Sequence, residues 1–130
     1  MPPEESSYPM DWLRIAERDL SRVDRCLRDD DPEAAGFFLQ QALEKFLKAF
    51  LLSRGWRLRR VHDLEVLLDD AVEYDPDVES FRPICQQVTG YYLIERYPLA
   101  GAARPSEAEI AAALDTAQEL VGKIRQSISG

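Results

Sequence analysis

His62 is the only histidine in a chain of 130 residues. It stands in Val61-His62-Asp63-Leu64, directly behind an arginine-rich stretch. A single histidine rules out a catalytic His pair or a His-based metal cluster within one chain. A lone imidazole can still act as an acid or base near neutral pH, or it can simply cap or pack beside the helix that it opens. Upstream lies a polar strip, Gln40, Gln41, Glu44, Lys45 and Lys48, inside an otherwise apolar run. Glu44 and Lys48 form an i,i+4 pair in the favourable order. On pattern alone a solvated face is the ordinary reading of that strip. Between Gln40 and His62 the basic residues Lys45, Lys48, Arg54, Arg57, Arg59 and Arg60 stand against Glu44 alone. Such a patch can bind a phosphate or an acidic partner, or it can be a solvated loop. Asp29-Asp30-Asp31 and Asp69-Asp70 read as solvated helix ends rather than metal sites. Cys26 and Cys85 lack metal-type spacing and read as small buried thiols. Tyr91, Tyr92 and Tyr97 gather beside Glu95 and Arg96, where two of the three rings belong in the core. No Gly-rich phosphate loop, nucleophile elbow or zinc pattern is present, and neither a metal nor a cofactor is expected.

Helices must position these groups. The strip belongs to QQALEKFLKAF, Gln40 to Phe50, whose apolar residues wrap most of a helix and predict a central one with neighbours on several sides. Asp31-Pro32 starts this helix and Gly55 ends it. A first helix begins at Asp11, carries Leu13, Ala16, Leu20, Val23 and Leu27 on one stripe, and stops near Asp29. His62-Asp63 opens a short third helix with Leu64, Leu67, Leu68 and Ala71 on one face. Asp69, Asp70 and Glu73 oppose its dipole and predict an early stop. Asp75-Pro76-Asp77 is a turn and a new N-cap. A fourth helix runs to Arg96-Tyr97-Pro98, with a kink expected at Pro83. Ser106 and Glu109 form a capping box for the last helix. No segment alternates with period two. The expected fold is all-α, an up-and-down antiparallel bundle of four to five helices. Residues 1–10 read as a flexible N-terminus and residues 11–128 as one domain.

The net charge of −8 argues against a general nucleic-acid binder. No apolar run reaches the length of a membrane span, and MPPEESSYP lacks the features of a secretory signal. A cytoplasmic protein with no membrane partner is the expectation.

Four stretches together resemble one family. WLRIAERDL, QQALEKFLKAFLLSRG, VHDLEVLL and YYLIERYP, in that order from Trp12 to Pro98, are similar to the landmarks of the HEPN domain (higher eukaryotes and prokaryotes nucleotide-binding). The resemblance implies a four- or five-helix bundle, usually a homodimer with a polar cleft between protomers. It also implies frequent pairing with a minimal nucleotidyltransferase in toxin–antitoxin systems, and active members that are metal-independent ribonucleases. Those ribonucleases carry an Arg, four to six residues, then a His, late in the bundle. Here no histidine follows Arg96, and only Arg57 stands at that spacing before His62. The chain looks like the branch that keeps HDL and RYP without the nuclease motif. In some toxins of the family the transferase adenylylates a Tyr just after that motif, and without it the site is not carried onto Tyr97.

The resemblance thus leads to a nucleotide- or RNA-interacting partner of a minimal nucleotidyltransferase in a toxin–antitoxin-like pair. Two alternatives stand beside it: a metal-independent ribonuclease toxin using His62 and Arg57, and a non-catalytic dimeric helical adaptor. The expected cleft gathers Gln41, Glu44, Lys45, Lys48, His62, Asp63, Arg96 and Tyr97, with Arg96 clamping a phosphate through its planar fork.

Overall fold

Asp31 and Pro32 start the central helix. In the computed structural model, which describes residues 6–92 and 104–129, the Asp31 carboxylate accepts from the Ala34 amide at 3.2 Å. Pro32 takes the first helical position, where its missing N–H leaves no bond unmade. Helix α2 then spans Pro32–Ser53. It closes at Gly55, whose φ of 89° is open to a residue without Cβ. The amides of Gly55 and Trp56 reach back to the carbonyls of Leu52 and Leu51 at 3.2 and 3.0 Å, a Schellman cap.

Helix α1, Pro9–Arg28, ends by the same device with an aspartate in the glycine's place. Asp30 has φ 59°, and the amides of Asp30 and Asp31 reach Leu27 and Cys26 at 3.2 and 2.9 Å. The acidic triplet is therefore a joint between helices: Asp29 caps α1, Asp30 turns the chain, and Asp31 caps α2.

Helix α3, Leu64–Val72, is capped by Asp63, which accepts from the Glu65 amide at 2.8 Å. It stops before Glu73, and its terminal acids find cations: Asp70 accepts from Arg59 and from the Trp56 indole, both at 2.9 Å, and Asp69 pairs with Arg82 at 2.8 Å. A 3-10 turn, Pro76–Phe81, leads into α4, Arg82–Thr89. The last helix, α5, spans Glu107–Ser129, with the Ser106 hydroxyl accepting from the Glu109 amide at 3.1 Å.

The result is an all-α helical bundle. Helices α1, α3, α4 and α5 all pack on α2. Leu39, Leu43, Phe46, Leu47 and Phe50 of α2 are buried, each contributing roughly 1.5–3 kcal/mol of apolar burial. Gly36 allows a close approach on one flank: a Cβ there would sit 3.1 Å from Ile110 Cδ1 and 3.2 Å from the Tyr91 ring. Cys85 is buried, and burial pushes its thiol up to about 12. No helix among the described residues is long and apolar enough to cross a membrane.

Three boundaries differ from the sequence expectation. Helix α1 begins at Pro9 rather than Asp11, and Ser6 is buried against it. The reason is local: the Trp12 indole donates to the Ser6 carbonyl at 2.8 Å, and the Ser6 hydroxyl donates to Asp11 at 2.7 Å. That second bond holds the Asp11 carboxyl below the usual carboxylate range. Pro83 does not kink a helix interior. It lies in the first turn of α4, where its absent N–H has no intrahelical partner to lose. Helix α4 stops at Thr89, and Gly90 forms a turn before Tyr91 and Tyr92 become helical again. Glu95, Arg96 and Tyr97 lie outside the described residues.

Candidate functional site

The polar strip of α2 is not a solvated face. Gln40, Glu44 and Lys48 are 0%, 3% and 3% exposed, because α1 and the segment around His62 pack over them. Burial of these groups is tolerable only if they are paired, and they are. Lys48 Nζ lies 3.0 Å from Glu44 Oε2 and 5.1 Å from the centre of the Trp12 ring, a cation held between a carboxylate and an aromatic face. Gln40 Nε2 donates to Glu44 Oε1 at 3.2 Å and to the His62 carbonyl at 2.9 Å. Its Oε1 accepts from Gln41 Nε2 at 2.7 Å. Both ends of the Gln40 amide are thereby engaged, which fixes its orientation.

His62 completes the network. Its Nδ1 lies 3.0 Å from Glu44 Oε1, and its ring stacks on Tyr92 at 5.0 Å with 14° between the planes. Tyr92 in turn stacks on Phe37 at 6.1 Å. A carboxylate next to Lys48 is an acceptor only, so Nδ1 carries the hydrogen and Nε2 is the atom left for a ligand or a proton. The side chain of His62 is 57% exposed while that of Glu44 is 4% exposed. The dyad thus has a buried anchor and an accessible tip.

Beside it opens a cavity of about 430 Å3. Gln41, Glu44, Lys45 and Lys48 line one wall, Trp12 and Ile15 of α1 another, and Arg60 and His62 the third. Lys45 is held by Asp19 at 2.6 Å, and Asp19 also pairs with Arg22 at 2.8 Å.

Five of the residues singled out from sequence, Gln41, Glu44, Lys45, Lys48 and His62, therefore meet around one cavity. Asp63 shares a smaller cavity with His62, Thr89, Gly90 and Tyr92. Arg57 stands apart, in a third cavity with Trp56, Leu58, Arg59, Asp70, Glu73 and Tyr74. The arginine beside His62 is Arg60. Arg96 and Tyr97 lie outside the described residues. Of the six basic residues of the patch, Lys45, Lys48 and Arg59 are each paired with an acid.

Sequence reasoning missed Trp12, Asp19 and Gln40 as parts of the site. A signal for Asp19 existed. Trp12, Ala16, Asp19 and Val23 recur at helical spacing and all four are buried, so Asp19 is an acid at a core position of α1. A buried ionisable group needs partners, and Arg22 of α1 and Lys45 of α2 supply them.

Fold and site together define an all-α bundle whose central helix carries a buried ionic network opening on a cleft. Comparison gives this class its family. A family model of the HEPN domain matches residues 9–127, and the chain belongs to that family. The crystal structure of TT1696 from Thermus thermophilus is similar at 33% identity and TM-score 0.80, over 92% of this chain and 97% of that one. The crystal structure of ST0689, an archaeal HEPN homologue, shares the fold at 24% identity and TM-score 0.73, over 93% and 98% of the two chains. No match is found among curated proteins.

Proposed function

We propose that this chain is a nucleotide- or RNA-binding HEPN module, a cytoplasmic homodimer that works beside a minimal nucleotidyltransferase in a toxin–antitoxin-like pair. The observation that carries the binding reading is the cavity of about 430 Å3 floored by the buried Glu44–Lys48 pair. Its volume falls in the range of small-ligand sites, roughly 300–1,000 Å3. Lys45, Lys48 and Arg60 supply cationic donors for a phosphate, and Trp12 supplies an apolar face. The pairing with a transferase rests on the family resemblance.

The test is equilibrium binding of ribonucleotides and short RNA oligomers at fixed salt, by wild type, Arg60→Ala and Arg96→Ala. Each substitution is expected to weaken binding by about 1.5–3 kcal/mol, the scale of a hydrogen bond to a charged group. A wild-type protein that binds neither ligand would replace this reading with that of a helical adaptor. Co-purification of a nucleotidyltransferase from the native host tests the partner.

A second reading is a ribonuclease, and the His62–Glu44 dyad favours it. Glu44 orients the imidazole and leaves Nε2 to accept a proton from a nucleophile, the arrangement of a general base and its orienting carboxylate. Cleavage of a short RNA by wild type, abolished in His62→Ala, is the expected result on this reading. Arg57 and Arg60 are then told apart by substitution, with Arg60 expected to matter more.

A further inference from the structure

His62 lines both the cavity of about 430 Å3 and a second of about 230 Å3 that is lined also by Asp63, Thr89, Gly90 and Tyr92. The two differ in sign. The larger holds three cations, Lys45, Lys48 and Arg60, against one carboxylate, Glu44, which is paired with Lys48. Among the described residues, and beyond the shared histidine, the smaller holds one carboxylate, Asp63, and no cation. A phosphate on the Asp63 side meets a carboxylate and is repelled, while a group rich in O–H donors is welcome there.

We infer that one nucleotide straddles His62, with its phosphate on the Lys45–Arg60 side and the two hydroxyls of its ribose on Asp63. This rests on the nucleotide-binding reading above and adds a sugar preference to it. Asp63 spends Oδ1 on the Glu65 amide at 2.8 Å. An ionised carboxylate offers about four acceptor sites, so capping leaves capacity for a diol. Thr89 Oγ1 accepts from the Leu64 amide at 3.1 Å, which leaves its own O–H able to donate to an acceptor such as a sugar oxygen. Gly90 carries no side chain to fill the space. The wall behind is rigid, since Tyr92 is braced by His62 and Phe37 through stacked rings. A site that hydrogen-bonds a hydroxyl discriminates strongly against the analogue lacking it, because its polar groups are then left unpaired.

The experiment titrates each of the four ribonucleoside 5′-monophosphates and its 2′,3′-dideoxy counterpart into wild type, Asp63→Asn and Asp63→Ser. Asn and Ser both serve as N-caps, so α3 is kept, and circular dichroism checks the fold. Wild type is expected to bind at least one ribonucleotide about tenfold more tightly than its dideoxy form, the scale of one charge-assisted hydrogen bond. Both variants should lose that preference and bind the ribose and dideoxy forms alike. Equal binding of the two sugars by wild type overturns the inference and leaves the nucleotide-binding reading standing. A preference that survives in both variants overturns the assignment to Asp63. No binding of any monophosphate overturns the inference together with the reading it rests on.

Discussion

His62 Nδ1 and Glu44 Oε1 lie 3.0 Å apart, joining the loop before α3 to the centre of α2. The bond sets the tautomer of the ring. Glu44 is also the acceptor for Lys48 and Gln40, so three elements of the site depend on one carboxylate. In its neutral form His62 should therefore carry its hydrogen on Nδ1. Nitrogen-15 NMR of the imidazole reads this directly. A ring protonated on Nε2 would remove the dyad and with it the general-base reading.

Asp30 holds a left-handed conformation, φ 59°, at the turn between α1 and α2. Residues with a Cβ are strained there, and glycine is not. Relief of about 1–2 kcal/mol of left-handed strain, less about 0.5–1 kcal/mol for the freer glycine backbone, should leave Asp30→Gly more stable by up to about 1 kcal/mol, read from the urea midpoint at unchanged m-value. Gly55→Ala, at φ 89°, should lower it. A destabilised Asp30→Gly would mean that the aspartate side chain contributes more than its backbone strain costs.

The helices were legible in the sequence because their signals are local. Asp31-Pro32, Gly55, the Ser106 cap and the apolar wrap of Gln40 to Phe50 each act within one or two turns, and each appears where expected, while the Glu109 carboxylate accepts from Tyr91 instead of closing the box. The site was legible only in part. Gln41, Glu44, Lys45, Lys48 and His62 were picked out, but the strip read as solvated. What buries it is a different helix, and one helix's periodicity cannot show what another lays across it. The complementary clue is Asp19 at a core position of α1, whose partner on α2 is Lys45. Arg57 has the spacing to His62, but spacing along a loop does not say which way the loop runs: Arg57 lines a cavity with Asp70 and Tyr74, and Arg60 lines the one with His62.

Tyr91 packs on Gly36 and donates its hydroxyl to Glu109. Burial first, and then that hydrogen bond, push its phenol up to about 12. A raised folded value means that the native state holds the proton more tightly than the unfolded chain. Stability from this group is therefore full below pH 10, the unfolded phenol value, and is lost as pH rises toward 12. Wild type should lose stability across that window, and Tyr91→Phe should lose less. Equal slopes in the two proteins would show that Tyr91 is not the group responsible.

The buried Glu44–Lys48 pair permits a test that separates folding from function. Desolvating both charges offsets much of their attraction, so an intact pair contributes little to stability, while a broken one leaves a charge buried alone. Glu44→Ala should accordingly cost about 3–5 kcal/mol. Glu44→Leu with Lys48→Met replaces the pair by apolar groups of similar bulk and should return stability to within about 1 kcal/mol of wild type. Gln40 Nε2 keeps the His62 carbonyl as its acceptor in the double variant, so its amide is not stranded. The same double variant should lose nucleotide binding by more than about tenfold, because it removes both the cation at the cavity floor and the carboxylate that orients His62. Urea denaturation and calorimetric titration on one preparation give both readings. A double variant as unstable as Glu44→Ala would show that the pair holds the fold. One that is stable and still binds nucleotide like wild type would remove the cavity from the binding site.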